Sequence, residues 1–131
     1  MLLIGNGRLI TRSETNPYLE NGAVVLDGDA VQETGTLEAM RAKYPQAEFV
    51  DARGGVIMPG LINVHTHIYS GLARGLAIDG YNPTNFFEVL DGQWWNIDRH
   101  LTLDGTRACA YATVLDCIRD GVTTIFDHHA S

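Results

Sequence analysis

The stretch Val56-Ile57-Met58-Pro59-Gly60-Leu61-Ile62-Asn63-Val64-His65-Thr66-His67 decides the fold of this 131-residue chain. It is apolar on both faces, broken only by Pro59-Gly60, and turns polar at its end. Continuous rather than alternating hydrophobicity predicts a strand buried on both sides, as in a parallel sheet. His65 and His67 stand at its carboxyl end, where parallel α/β folds place their active sites. Side chains two apart on a strand point to one face, so both imidazoles can reach one ion. Taken alone, the pair also reads as two polar residues that end a strand and face water.

Downstream, Ala108, Tyr111, Ala112, Leu115 and Ile118 fall at i, i+3, i+4, i+7 and i+10, an apolar stripe along a helix. Thr102 and Asp104 suit its N-terminus, and Gly121 sits where a left-handed C-cap belongs. The β-branched run Val122–Phe126 follows at once. Strand, loop and helix, then strand reads as a parallel crossover unit. Between the two strands, Gly71, Gly75, Gly80 and Pro83 punctuate a long loop with one short helix expected from Pro83 to about Leu90.

Upstream the composition changes near Gly54, so residues 1–54 are read as a β-rich part and 55–131 as a mixed α/β part. Leu2–Ile4, Leu9–Thr11, Ala23–Leu26 and Ala30–Glu33 are short β-type runs, with Asp27-Gly28 a hairpin-turn dipeptide. Thr36 opens a two-turn helix that Pro45 stops, and Phe49–Asp51 resumes an extended segment.

Nine Lys plus Arg against sixteen Asp plus Glu give a net charge of −7, which argues against nucleic acid or an anionic membrane as partner. No segment approaches the roughly 20 apolar residues that span a bilayer, and the N-terminus lacks a signal-peptide pattern. A cytoplasmic location is expected. Cys109 and Cys117, eight residues apart on one expected helix, stand about 12 Å apart, too far for a disulfide. They read as reduced, buried thiols.

The segment Pro59-Gly60-Leu61-Ile62-Asn63-x-His65-x-His67 closely resembles the first barrel strand of the amidohydrolase superfamily. Arg74-Gly75, Trp94-Trp95-x-x-Asp98 and Asp127-His128-His129-Ala130-Ser131 resemble its aminohydrolase and chlorohydrolase branch, most of all the SsnA-like proteins. The resemblance implies an α/β fold: a small composite sandwich part over 1–54, then the first βαβ portion of a TIM-type (β/α)8 barrel over 55–131. It implies His65 and His67 as ligands of a divalent ion, zinc or iron, and hydrolysis at an sp² carbon bearing an amino or halide group. Small heterocycles such as purines, pterins or triazines are the implied substrates.

A complete barrel needs about 200 to 250 residues or more. The family's later histidines, aspartate and acid/base glutamate have no counterpart here, so the chain reads as the amino-terminal part of a longer enzyme. The alternative is a catalytically inert piece or a non-enzymatic assembly module, covered by further barrel segments or a second copy. Arg74 is expected to hold substrate or to close a loop salt bridge. His128 and His129 end the second strand; substrate contact is implied by the resemblance, while a third ligand or a solvent-facing role stays open. Phe86, Phe87, Trp94 and Trp95 read as core or as walls for a flat ring.

Overall fold

Leucines and glycines alternating along Leu2–Ile10 make one nine-residue strand, β1, that buries Leu3 and Gly5 against one core and Gly7 and Leu9 against another. The two runs expected there are joined by an irregularity between Ile4 and Gly7, where Asn6 takes φ 59°. The Asn6 amide tolerates that conformation and donates to Asp51 Oδ1 at 2.6 Å. β2 (Tyr18–Asp27) runs antiparallel to β1, and β3 (Ala30–Thr36) antiparallel to β2. Asp27 pairs with Ala30, so the turn is Gly28-Asp29, with Gly28 at φ 61°.

Thr36 caps α1 (Leu37–Lys43) by accepting from Ala39 N. β4 (Glu48–Asp51) and the short β5 (Val56–Ile57) both pair parallel with β1, completing the order β3-β2-β1-β4. Met40 of α1 packs with Leu3, Ala23 and Val25 in one core, while Leu9, Val24 and Ile57 form another.

The structure, a computed structural model, describes residues 1–130, which divide into two compact units at Pro59/Gly60. Val56–Val64 is therefore not one strand. Val56–Ile57 joins the first sheet, and β6 (Leu61–Thr66) starts a second after Pro59, which has no N–H to donate to a ladder. Gly60 permits close packing there, since a Cβ would fall 2.2 Å from Thr123 Cγ2.

β6 pairs parallel with β7 (Val122–Asp127) in a two-stranded sheet. Burial on both faces does not occur: Ile62 and Val64 are 57% and 68% exposed, because two strands offer no third strand or second layer to cover them.

A 3₁₀ segment, Ile68–Ala73, follows β6. The expected helix at 83–90 starts later and runs further. Asn85 caps α2 (Phe86–Val89) through Glu88 N; one π-helical turn, Leu90–Trp94, links it to α3 (Trp95–His100).

Helix α4 (Leu103–Arg119) has Thr102 as N-cap, bonded to Gly105 N, and Gly121 at φ 75° just beyond its end. Its buried residues are Cys109 and Cys117, both free thiols. The expected stripe lies largely outward instead, with Tyr111, Leu115 and Ile118 all more than half exposed. The 3₁₀ segment packs on the small-residue side, where Gly71 meets Thr113 and the Cys109 carbonyl. Among the described residues no helix is long and apolar enough to cross a membrane.

Candidate metal centre

Strand periodicity carries His65 and His67 to one side of the β6 end, and their Nε2 atoms stand 3.3 Å apart. His67 Nδ1 lies 2.7 Å from the His128 carbonyl oxygen. A carbonyl only accepts, so Nδ1 carries the proton and Nε2 of His67 keeps its lone pair facing His65. Two nitrogen ligands about 2.0–2.1 Å from one zinc ion, at the tetrahedral angle, stand about 3.3–3.4 Å apart. The donor pair thus fits a tetrahedral ion in spacing, and His67 fits it in tautomer as well. Among the described residues no group of three His, Cys, Asp or Glu side chains could hold an ion, and catalytic zinc takes three protein ligands.

His128 joins the cluster. Its backbone N donates to Thr66 O, its ring centroid is 4.7 Å from that of His65, and its Nε2 lies 3.4 Å from Val64 O. His129 turns to other partners: its Nδ1 is 2.8 Å from Asp127 Oδ2 and its ring packs on Tyr69 at 4.8 Å. Arg74 forms an ion pair with Asp116 of α4 at 2.9 Å and is largely exposed. It shares the edge of a recess of about 420 Å³ with Thr66, His67 and Trp94.

A second recess, about 330 Å³, opens against the two imidazoles and is walled by Tyr69, Phe86, Trp94 and Asp98. Phe87 instead packs edge-on against Trp95 at 5.6 Å. In an uninterrupted α-helix the twelve residues from Phe86 to Asp98 would leave those side chains about 120° apart around the axis. The extra residue of the π turn removes most of that angle, which is how both line one wall.

Two features of this wall are not evident from spacing alone. Tyr69 is buried, and burial, reinforced by the Asp98 carboxylate, pushes its phenol up to about 12. Asp98 Oδ1 is buried without a hydrogen-bond partner, in a residue that lines the recess. The motif Trp94-Trp95-x-x-Asp98 marks the aspartate in the sequence; nothing in the His-rich strand flags Tyr69.

Residues 56–131, more than half of the chain, match the Amidohydrolase family. The chain belongs to that family. Residues 22–47 of this amidohydrolase match the Imidazolonepropionase-like composite domain of bacteria. It is 30% identical over 129 residues to a 5-methylthioadenosine/S-adenosylhomocysteine deaminase of Syntrophomonas wolfei subsp. wolfei, covering 96% of this chain and 28% of that protein.

Among solved structures it is similar to the atrazine chlorohydrolase TrzN from Arthrobacter aurescens TC1 complexed with zinc, with TM-score 0.78, 30% identity, and coverage of 98% of this chain and 29% of that one. The fold alone is shared with E. coli guanine deaminase, at 20% identity and TM-score 0.78 over 99% of this chain and 32% of the other. The amidohydrolase resemblance and the α/β architecture, N-terminal strands followed by the first units of a barrel, are borne out. The chain spans under a third of the length of these relatives.

Proposed function

We propose that this amidohydrolase chain carries the first-strand metal ligands, His65 and His67, of a hydrolase that cleaves C–N or C–halide bonds of small nitrogen heterocycles. The observation that carries the reading is the 3.3 Å between the two Nε2 atoms, with His67 Nδ1 already committed to the His128 carbonyl. A divalent ion, zinc in the first instance and iron as the other candidate, would supply Lewis-acid activation of a water there. His67 and His65 present the lone pairs, and the aromatic wall of Phe86 and Trp94 accepts a flat ring and excludes solvent beside them. Asp98 Oδ1 accepts a hydrogen bond from a donor on that ring or its substituent.

Of the two terminal histidines, His128, packed on His65, is the better supported substrate contact, since His129 is engaged by Asp127. Arg74 would reach substrate only by leaving Asp116. The expected division into residues 1–54 as composite part and 55–131 as barrel start moves to Pro59/Gly60, because Val56–Ile57 pairs with β1. The free thiols of Cys109 and Cys117 support a reducing, cytoplasmic setting.

One observation favours a second reading, that these 131 residues alone are an inert assembly piece. Among the described residues the ligand set stops at two imidazoles, and Leu61, Ile62, Val64 and Phe126 lie exposed on the sheet. Further barrel segments, or a second copy, would cover them.

The test is zinc binding by isothermal titration, with assay of amino- and chloro-substituted purines and triazines, on this chain and on a form extended to full barrel length. His65→Ala and His67→Ala should each abolish zinc binding and turnover in the extended form. Retention of both in the double variant would overturn the assignment.

A further inference from the structure

The end of β7 grips His67 from three sides. His128 N donates to Thr66 O at 2.9 Å, Ile68 N donates to Asp127 Oδ1 at 3.0 Å, and His67 Nδ1 donates to His128 O at 2.7 Å. The backbone groups on either side of His67, and its ring, are thus held by the last residue of the neighbouring strand and the residue after it. β6 ends at Thr66, so Ile68 N–H has already left the sheet ladder. The Asp127 carboxylate takes the place of the carbonyl that a continuing strand would have offered.

Both oxygens of that carboxylate are used. Oδ2 is 2.8 Å from Nδ1 of His129, whose ring lies 4.8 Å from that of Tyr69, the second residue of the 3₁₀ segment that follows His67. Asp127 and His129 therefore close a circuit onto Ile68 and Tyr69.

We propose that Asp127 is a positioning residue that fixes the rotamer and tautomer of His67 through Ile68 N–H, and that His129 orients Asp127 for this task. This rests on the reading of His67 as a metal ligand. His67 sits at φ −126°, ψ 80°, outside both regular helix and regular strand, and its peptide is held on the carbonyl side by Ser70 N at 3.3 Å and on the amide side by Asp127. Loss of the Asp127 bond leaves that peptide with the longer Ser70 bond alone, which lets it turn and takes the imidazole away from the His128 carbonyl. Partners that orient a ligating histidine are worth about 10- to 100-fold in metal affinity.

The experiment is long-range 1H–15N correlation of the histidine rings in the 131-residue chain, with and without added zinc, for the parent, Asp127→Ala and Asp127→Asn. In the parent, His67 and His129 should each show the proton on Nδ1. Asp127→Ala should shift His67 toward a mixture of tautomers and weaken zinc binding 10- to 100-fold. Asparagine keeps an oxygen for Ile68 N but presents an N–H₂ to His129. Asp127→Asn should therefore drive His129 to the Nε2–H tautomer while His67 stays largely on Nδ1, and it keeps the test decisive if the alanine variant does not fold.

His67 signals and zinc affinity unchanged in a folded Asp127→Ala variant would overturn the positioning role, as would an unchanged His129 tautomer in Asp127→Asn. Zinc that shifts neither His65 nor His67 in the parent would instead remove the metal reading, and the metal-free tautomers would still decide on Asp127.

Discussion

Adding one methyl group at Gly71 should destabilise the second unit, and deleting one hydroxyl across the contact should restore it. A Cβ at Gly71 would stand 2.0 Å from Thr113 Oγ1 and 3.1 Å from the Cys109 carbonyl oxygen. Overpacking of this kind costs about 1–3 kcal/mol, and a polar atom at that distance puts Gly71→Ala toward the upper end. Thr113 Oγ1 is itself buried without a partner, so removing it recovers about 1 kcal/mol of desolvation and offsets the lost methyl contact. Thr113→Ala alone should then be close to neutral. In the double variant the nearest remaining Thr113 atom would be its Cβ, 3.4 Å away, an ordinary contact.

The double-mutant cycle should consequently show a favourable coupling of about 1–2 kcal/mol. Urea unfolding followed by tryptophan fluorescence reads it, because Trp94 and Trp95 are the only tryptophans and both lie in the second unit. A cost for Gly71→Ala below about 0.5 kcal/mol, or a cost that Thr113→Ala leaves untouched, would refute the account of how the 3₁₀ segment seats on α4.

Thr102→Ala removes the side-chain acceptor for Gly105 N and should cost about 1 kcal/mol in the same urea assay, whereas Thr102→Ser should cost little. The Lys43 ammonium first, and the Tyr44 hydroxyl second, hold the Glu33 carboxyl below its ordinary value of 4.5. The stability this supplies is present above that value and is lost as the pH falls through the lower folded one. Far-UV circular dichroism in mild urea should therefore show the parent losing more stability than Glu33→Gln below about pH 4.5, and superimposable acid profiles would contradict it. Cys109 and Cys117 are 4% and 7% exposed, so both thiols should react with an aromatic disulfide reagent only at the rate of local opening, accelerating with urea; fast labelling of the native chain would show α4 to be looser than its packing implies.

The sequence made some of this architecture readable because the signals were local. Thr36 and Thr102 as caps, Gly121 beyond α4, and the His-x-His pair at a strand end each depend on a few neighbouring residues. Features set by partners far along the chain were read less well. Apolar continuity across Val56–Val64 says nothing about which sheet each half joins, and only the pairing of Val56 with Arg8 and of Leu61 with Val122 separates them.

In α4 the small residues Gly71 meets, not the large ones of the stripe, mark the packed side, because close approach of two backbones selects for little volume. Phe86 and Asp98 could not be placed on one wall from a period of 3.6, since a π turn changes the period within the helix. His129 was separated from His128 only by tertiary bonds, because two adjacent histidines at a strand end offer the same alternation in either register.

That π turn carries a consequence for chains that differ from this one by a single codon. Deleting one residue between Leu90 and Trp94 would let the helix anneal into an ordinary α form, with little cost to its backbone bonding. The eleven α-helical residues then running from Phe86 to Asp98 would set the two side chains about 20° apart, so Asp98 would keep its place in the chamber beside the imidazoles. A one-residue length change at this place would thus be absorbed by the turn itself and leave the chemistry facing a guest molecule as it was.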